Sequence, residues 1–177
     1  MYRLSLVTMM LISGFETARA EDRSTGFFGG EIGRDPLAIA LSVGLMMPVE
    51  DGWSLRAAGQ LLASERFTET VFTGFEFGLR YAPPTLVAPF VGVSVFGGCS
   101  SEPAADDGID NDWDGWVDEF GETRLTGLIA AMIPEAGVQV RFSESSFLAL
   151  KARQFFTTET SGESFWTAGV EFSFKIH

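Results

Sequence analysis

From Gly26 to Ile176 the chain alternates apolar with small or polar residues, segment after segment. A period of two is the period of an extended strand, whose successive side chains point to opposite faces. At the C-terminal end Trp166, Ala168, Val170, Phe172, Phe174 and Ile176 share one face, while Thr167, Gly169, Glu171, Ser173 and Lys175 share the other. Leu148, Leu150, Ala152 and Phe156 oppose Lys151 and Arg153; Ala136, Val138, Val140 and Phe142 oppose Glu135, Gly137, Gln139 and Arg141. Phe75, Phe77, Leu79 and Tyr81 oppose Gly74, Glu76, Gly78 and Arg80. Weaker alternation covers Leu37 to Met47, Trp53 to Leu61 and Val91 to Val95, and Gly26 to Gly33 supplies a further strand. No window after the N-terminal segment holds the roughly 18 apolar residues of a membrane helix, so a chain of this kind crosses a bilayer only as strands.

These segments predict eight strands. Asp51-Gly52, Pro83-Pro84 and Ser143 to Ser146 read as short turns at one end, and a long connection after Gly98 falls at the other. An even number of strands joined in this way predicts an all-β fold, an antiparallel up-and-down eight-stranded transmembrane β-barrel with a long acidic extracellular loop. Alternation alone does not say which face is inside. A soluble lipocalin-like barrel has eight strands too, with apolar residues inward around a ligand. The polar face here carries Gly74, Gly78, Gly92, Gly137 and Gly169, a composition suited to a crowded small lumen. It also carries charges of both signs that can pair: Glu31, Arg56, Glu76, Arg80, Glu135, Arg141, Lys151, Arg153 and Glu171. The apolar face is large and aromatic toward the strand ends, as lipid contact with an interfacial girdle requires.

The first residues read as an export address. Arg3 gives a positive start, Leu4 to Ser13 is apolar but too short to span a bilayer, and Ala18-Arg19-Ala20 reads as a cleavage site. Residues 1–20 are thus expected to be a signal peptide and residues 21–177 the barrel.

Thr167-Ala168-Gly169-Val170-Glu171-Phe172-Ser173-Phe174 resembles the C-terminal β-signal of outer-membrane proteins, although Lys175-Ile176-His177 extends past the last aromatic residue. With the eight amphipathic strands and the export address, the chain resembles the small outer-membrane β-barrels related to the transmembrane domain of outer membrane protein A. The resemblance implies a Gram-negative outer-membrane location, contact with outer-membrane lipids and lipopolysaccharide, and folding by the β-barrel assembly machinery. It identifies architecture and leaves activity open.

Cys99 to Glu122 reads CSSEPAADDGIDNDWDGWVDEFGE, with nine acidic residues and no basic ones, against a net charge of −12 for the whole chain. Within it Asp110, Asp112 and Asp114 followed by Gly115 give the D-x-D-x-D-G spacing of calcium loops. Alternate carboxylates in a tight loop converge on one centre, and the Trp116 carbonyl can add an oxygen. Gly121 stands where an EF-hand has its bidentate Glu. The string Asp107 to Glu119 instead resembles the D-G-x-D-N-D-x-D-G-x-x-D-E metal-binding repeat of secreted bacterial proteins, similar to thrombospondin type 3 calcium loops. That resemblance implies ligands at Asp110, Asp112, Asp114 and Asp118, with Asp107 or Glu119 completing the shell. The alternative is a solvated acidic loop without metal.

Composition narrows the remaining functions. The negative charge repels phosphate and no Lys/Arg cluster offsets it, so a nucleic-acid partner is excluded. The single His is His177 at the terminus, and Cys99 stands alone as a free, partly buried thiol or an intermolecular link. No Ser/His/Asp or Cys/His centre can be assembled, so no enzyme is expected. Three roles stay open: a structural or adhesive barrel with a calcium-binding surface loop, a narrow pore, and the lipocalin-like alternative.

Overall fold

The computed structural model of the chain describes residues 24–65, 71–103, 123–143, 146–158 and 164–176. They form eight strands: β1 (Thr25–Arg34), β2 (Leu37–Glu50), β3 (Trp53–Ser64), β4 (Val71–Tyr81), β5 (Val87–Pro103), β6 (Thr123–Arg141), β7 (Ser146–Thr157) and β8 (Phe165–Lys175). Each pairs antiparallel with its neighbours in sequence, and β1 closes on β8 from Thr25 opposite Lys175 to Ile32 opposite Ala168. Closure removes the strand edges within the ring, so there the main-chain donors and acceptors of each strand face a partner on both sides.

The connections fall into two ends. β2 and β3 are joined by Asp51-Gly52, with φ of 37° and 89°. Two positive φ values in a two-residue hairpin turn match the right-handed twist of the flanking strands, and Asp-Gly tolerates them. The β4–β5 and β6–β7 connections lie at this same end, called here the turn end. The β1–β2, β3–β4, β5–β6 and β7–β8 connections share the opposite, or loop, end, where β1 and β2 meet across the cis Asp35-Pro36 bond.

Burial follows the alternation with the polar face inward. Glu31, Arg56, Glu76, Arg80, Glu135, Lys151, Arg153 and Glu171 are buried, while Phe75, Phe77, Leu79, Val91, Val93, Leu150 and Val170 are exposed. The lipocalin-like alternative therefore fails, because its ligand-facing apolar wall is here the outer surface. The glycines of the inner wall match the expected crowding. A Cβ on Gly137 would overlap the Leu150 carbonyl oxygen and lie 2.6 Å from the Phe90 ring, so this position is bare because both the adjacent strand and an aromatic ring press on it. At the turn end the outer surface carries an aromatic band, with Trp53 against Tyr81 at 5.2 Å and Phe142 and Phe28 both against Phe172.

Two expectations need correction. The segment from Cys99 is not all loop: Cys99 to Pro103 continue β5 and pair with residues 123–128 across a register shift at Ser100/Ser101. Ladder hydrogen bonds override the turn-like composition there, and the connection shrinks to residues 104–122. The polar alternation also hides inward-facing aromatics: Phe27, Phe72, Phe90, Phe96, Phe155 and Phe165 are all buried. Where two large apolar residues adjoin, as in Phe27-Phe28, Phe155-Phe156 and Phe165-Trp166, the pleat must turn one of them inward. The expected division at residue 20 lies outside the described residues.

An outer wall built to contact hydrocarbon penalises charge near mid-height. Leu150→Arg, on the exposed face near the middle of β7, is expected to lower folding stability by about 2–4 kcal/mol in lipid vesicles. Urea titration of vesicle-reconstituted protein measures it, and an unchanged midpoint would show that this wall does not face lipid.

Candidate functional site

The inward polar residues meet in one network at mid-lumen. Glu171 of β8 accepts from Arg56 Nη1, from Arg80 Nη1 at 2.7 Å and from Lys151 Nζ at 3.0 Å. Glu76 pairs with Arg56 Nε at 3.0 Å and with Arg153 Nη2 at 2.6 Å. Glu31 receives Lys151 at 2.9 Å, Arg153 at 3.0 Å and the Thr167 hydroxyl at 2.7 Å. Glu135 receives Arg80 Nε at 2.7 Å and lies 3.7 Å from Arg153 Nε. Signs alternate around a closed circuit, Arg80–Glu171–Arg56–Glu76–Arg153–Glu135, with Lys151 and Glu31 bridging Glu171 to Arg153. Four carboxylates meet four cations, so the network is neutral as a whole.

The strands that carry it are spread around the barrel: β1, β3, β4, β6, β7 and β8 supply the charges. Arg153 also donates to Ser94 of β5 at 3.2 Å, and Arg80 Nη1 lies 3.9 Å from the Met46 sulfur of β2. Desolvating eight charges is costly, and it is tolerated only because each has partners at hydrogen-bond distance. Bidentate-capable guanidinium groups suit this role, because one Arg reaches carboxylates on two strands.

Apolar layers close the network on both sides. Toward the loop end lie Leu62, Phe72, Phe96, Ile129, Ile133, Phe155 and Phe165, with Phe155 and Phe165 stacked at 4.9 Å. Toward the turn end lie Phe27, Met46 and Ala58, with Phe147 packed on them. Three arginines touch the lids directly: Arg56 sits 3.8 Å from the Phe27 ring centroid, Arg80 4.3 Å from Phe90 and Arg153 5.3 Å from Phe155. Such contacts favour a cation by the ring quadrupole while excluding water from its other side.

Of the nine charges read as lumen candidates, eight are in this network. Arg141 is not: it is the last residue of β6, exposed at the turn-end rim, too far along the strand to reach the mid-lumen layer. Thr167 has the inward parity given above, but its bond to Glu31 and that of Ser94 to Arg153 are not legible in the sequence, since nothing distinguishes these two residues from other small polar positions of the inner face.

Asp107, Asp110, Asp112, Asp114, Trp116, Asp118 and Glu119, the residues expected to hold calcium, all lie outside the described residues. What the structure supplies is their support. β5 pairs with β4 as far as Ser100, and β6 pairs with β7 only from Ala131 onward, yet β5 and β6 go on pairing to Pro103 opposite Thr123. At ~3.4 Å per residue, the eight residues of β6 past its β7 partners make an arm roughly 27 Å long. Among the described residues no cluster of His, Cys, Asp and Glu suits a metal ion.

Comparison with solved structures gives the same architecture. The N-terminal β-barrel domain of Pseudomonas aeruginosa OprF superposes with a TM-score of 0.61 at 12% identity, covering 88% of this chain and 98% of that one. Neisserial surface protein A gives a TM-score of 0.56 at 10% identity, covering 87% of this chain and 95% of that one. The fold is theirs. No family model and no curated protein matches the sequence.

Removing one member of a buried, hydrogen-bonded charge network strands the others. Glu171→Gln leaves Arg56, Arg80 and Lys151 short of a counter-charge, and an expected loss of about 3–5 kcal/mol follows. Urea unfolding in detergent checks this, with Arg141→Gln as the control that changes stability little.

Proposed function

We propose that this chain is a non-enzymatic barrel of the bacterial outer membrane that acts as a closed anchor presenting its β5–β6 connection outside the cell, in a structural or adhesive role. The observation that carries the reading is a lumen filled by side chains together with a β5–β6 hairpin that, among the described residues, runs on past the neighbouring strands. A charge layer that is neutral as a whole and packed between apolar layers offers a permeating ion no net counter-charge, although Arg56 Nη2, Glu76 Oε2 and Glu135 Oε2 make no hydrogen bond of their own. The inverted surface, with Phe75, Phe77, Val91, Val95 and Leu150 outside, supports a hydrocarbon environment. The similarity to a neisserial surface protein supports the cell-surface location.

The connection itself is read as a calcium loop. Support comes from the spacing of Asp110, Asp112, Asp114 and Asp118, with Asp107, Glu119 and the Trp116 carbonyl as further oxygens. So many carboxylates in one short segment repel one another until a cation holds them together. Ordered in this way, the loop offers a rigid acidic surface, and the bound cation can bridge to lipopolysaccharide phosphates. Folding into the membrane falls to the β-barrel assembly machinery, consistent with the aromatic, glycine-bearing last strand.

Two measurements separate these claims. Reconstituted into planar bilayers, the protein is expected to stay silent, and stable unitary conductance would replace the anchor reading with the pore. Calcium titration followed by tryptophan fluorescence is expected to saturate, and Asp112→Asn with Asp114→Asn is expected to abolish the response while unboiled protein keeps its shifted gel mobility. A response unchanged in the double variant would remove calcium from the loop.

A further inference from the structure

The outer wall is not evenly covered. In the register of β2 to β6 one outward row reads Val43, Gly59, Phe75, Gly97 and Ala130, so the projecting Phe75, 68% exposed, stands between two glycines. A Cβ built on Gly97 would meet nothing within 4 Å, and one on Gly59 only a carbonyl oxygen at 4.0 Å. These glycines are therefore not demanded by close strand approach, unlike those of the inner wall. The next outward row toward the loop end reads Leu41, Leu61, Thr73, Cys99 and Leu128, again with small residues at its centre and leucines at its flanks. The result is an open trough of about 930 Å³ with an almost wholly apolar lining. It runs from mid-height on the barrel into the half nearer the loop end.

Resting on the membrane reading above, we infer that this trough is a binding groove for the acyl chain of a bilayer lipid in the leaflet on the loop side. The trough is continuous with the exposed apolar belt, so its occupant comes from the hydrocarbon layer. Water is a poor occupant, because the groove offers it few polar partners. A flexible apolar chain fits, since it can lie along the floor of Gly97, Thr73 and Cys99 while Leu61, Phe75 and Leu128 flank it. Leu128, 84% exposed, has no such packing without an occupant.

The test uses the full chain in vesicles of dimyristoylphosphatidylcholine doped with a phosphatidylcholine that carries a mid-chain diazirine. After irradiation, peptides containing Thr73, Gly97 and Cys99 are expected to be labelled several-fold more than those of the β7–β8 wall. Gly59→Leu with Gly97→Leu fills the trough in space that is open, so this variant is expected to insert normally and lose the excess labelling. Even labelling around the barrel, or excess labelling that survives the double variant, would overturn the groove. Exclusion of lipid with disulfide capture between Cys99 of two copies would overturn it in favour of a dimer face. If the membrane reading itself were wrong, the protein would fail to insert and would remain fully protease-sensitive with vesicles present, a result distinct from all of these.

Discussion

Eight charges are held away from water in the middle of this barrel, and the rest of the structure is arranged so that they can be. Desolvation penalises each ion severely, and only close opposite charge and hydrogen bonding offset it. The circuit through Arg80, Glu171, Arg56, Glu76, Arg153 and Glu135 supplies both, since every carboxylate has cations from at least two other residues. Because the partners sit on different strands, the circuit also fixes the strands relative to one another. A slip of one residue in any ladder would turn its charges onto the outer wall.

The aromatic lids follow from the same constraint. A charge pair weakens where water competes for it and strengthens where the surroundings are apolar. Phe27 and Phe90 lie against arginines from the turn end and Phe155 from the loop end, so the lids both exclude water and contact the cations. Bare glycine positions such as Gly137 make room for these rings in a lumen of eight strands. The closed-anchor role proposed above rests on this filling of the lumen. The same wall thus does two separate jobs, with inner glycines admitting rings and the outer pair at Gly59 and Gly97 leaving a hollow.

Much of this was legible in the residues. Alternation marked all eight strands, and the mixed charges together with the glycines indicated which face was inside. Eight of nine inner charges were read correctly because their parity along each strand determines their face. Arg141 has the correct parity but the wrong height, and height depends on strand stagger, which a single strand does not encode. The inward phenylalanines were missed because an apolar residue beside another apolar residue satisfies either face. The end of β5 was misplaced because Cys99 to Pro103 looks like a turn locally and is held as a strand by residues 123–128.

By itself, then, the sequence determined the periodicity, the inside-out polarity and a neutral set of inward charges, all of which are local properties of side-chain parity and type. The tertiary structure decided which carboxylate meets which cation, that two aromatic layers close over them, and that β5 and β6 continue together past the rim. It also decided that small outward residues on neighbouring strands line up into one trough. Each of these depends on the stagger of strands around a closed ring, a relation between residues as far apart as Glu31 and Arg153. Stagger is settled by all eight ladders closing at once, and no segment of the chain carries that condition alone.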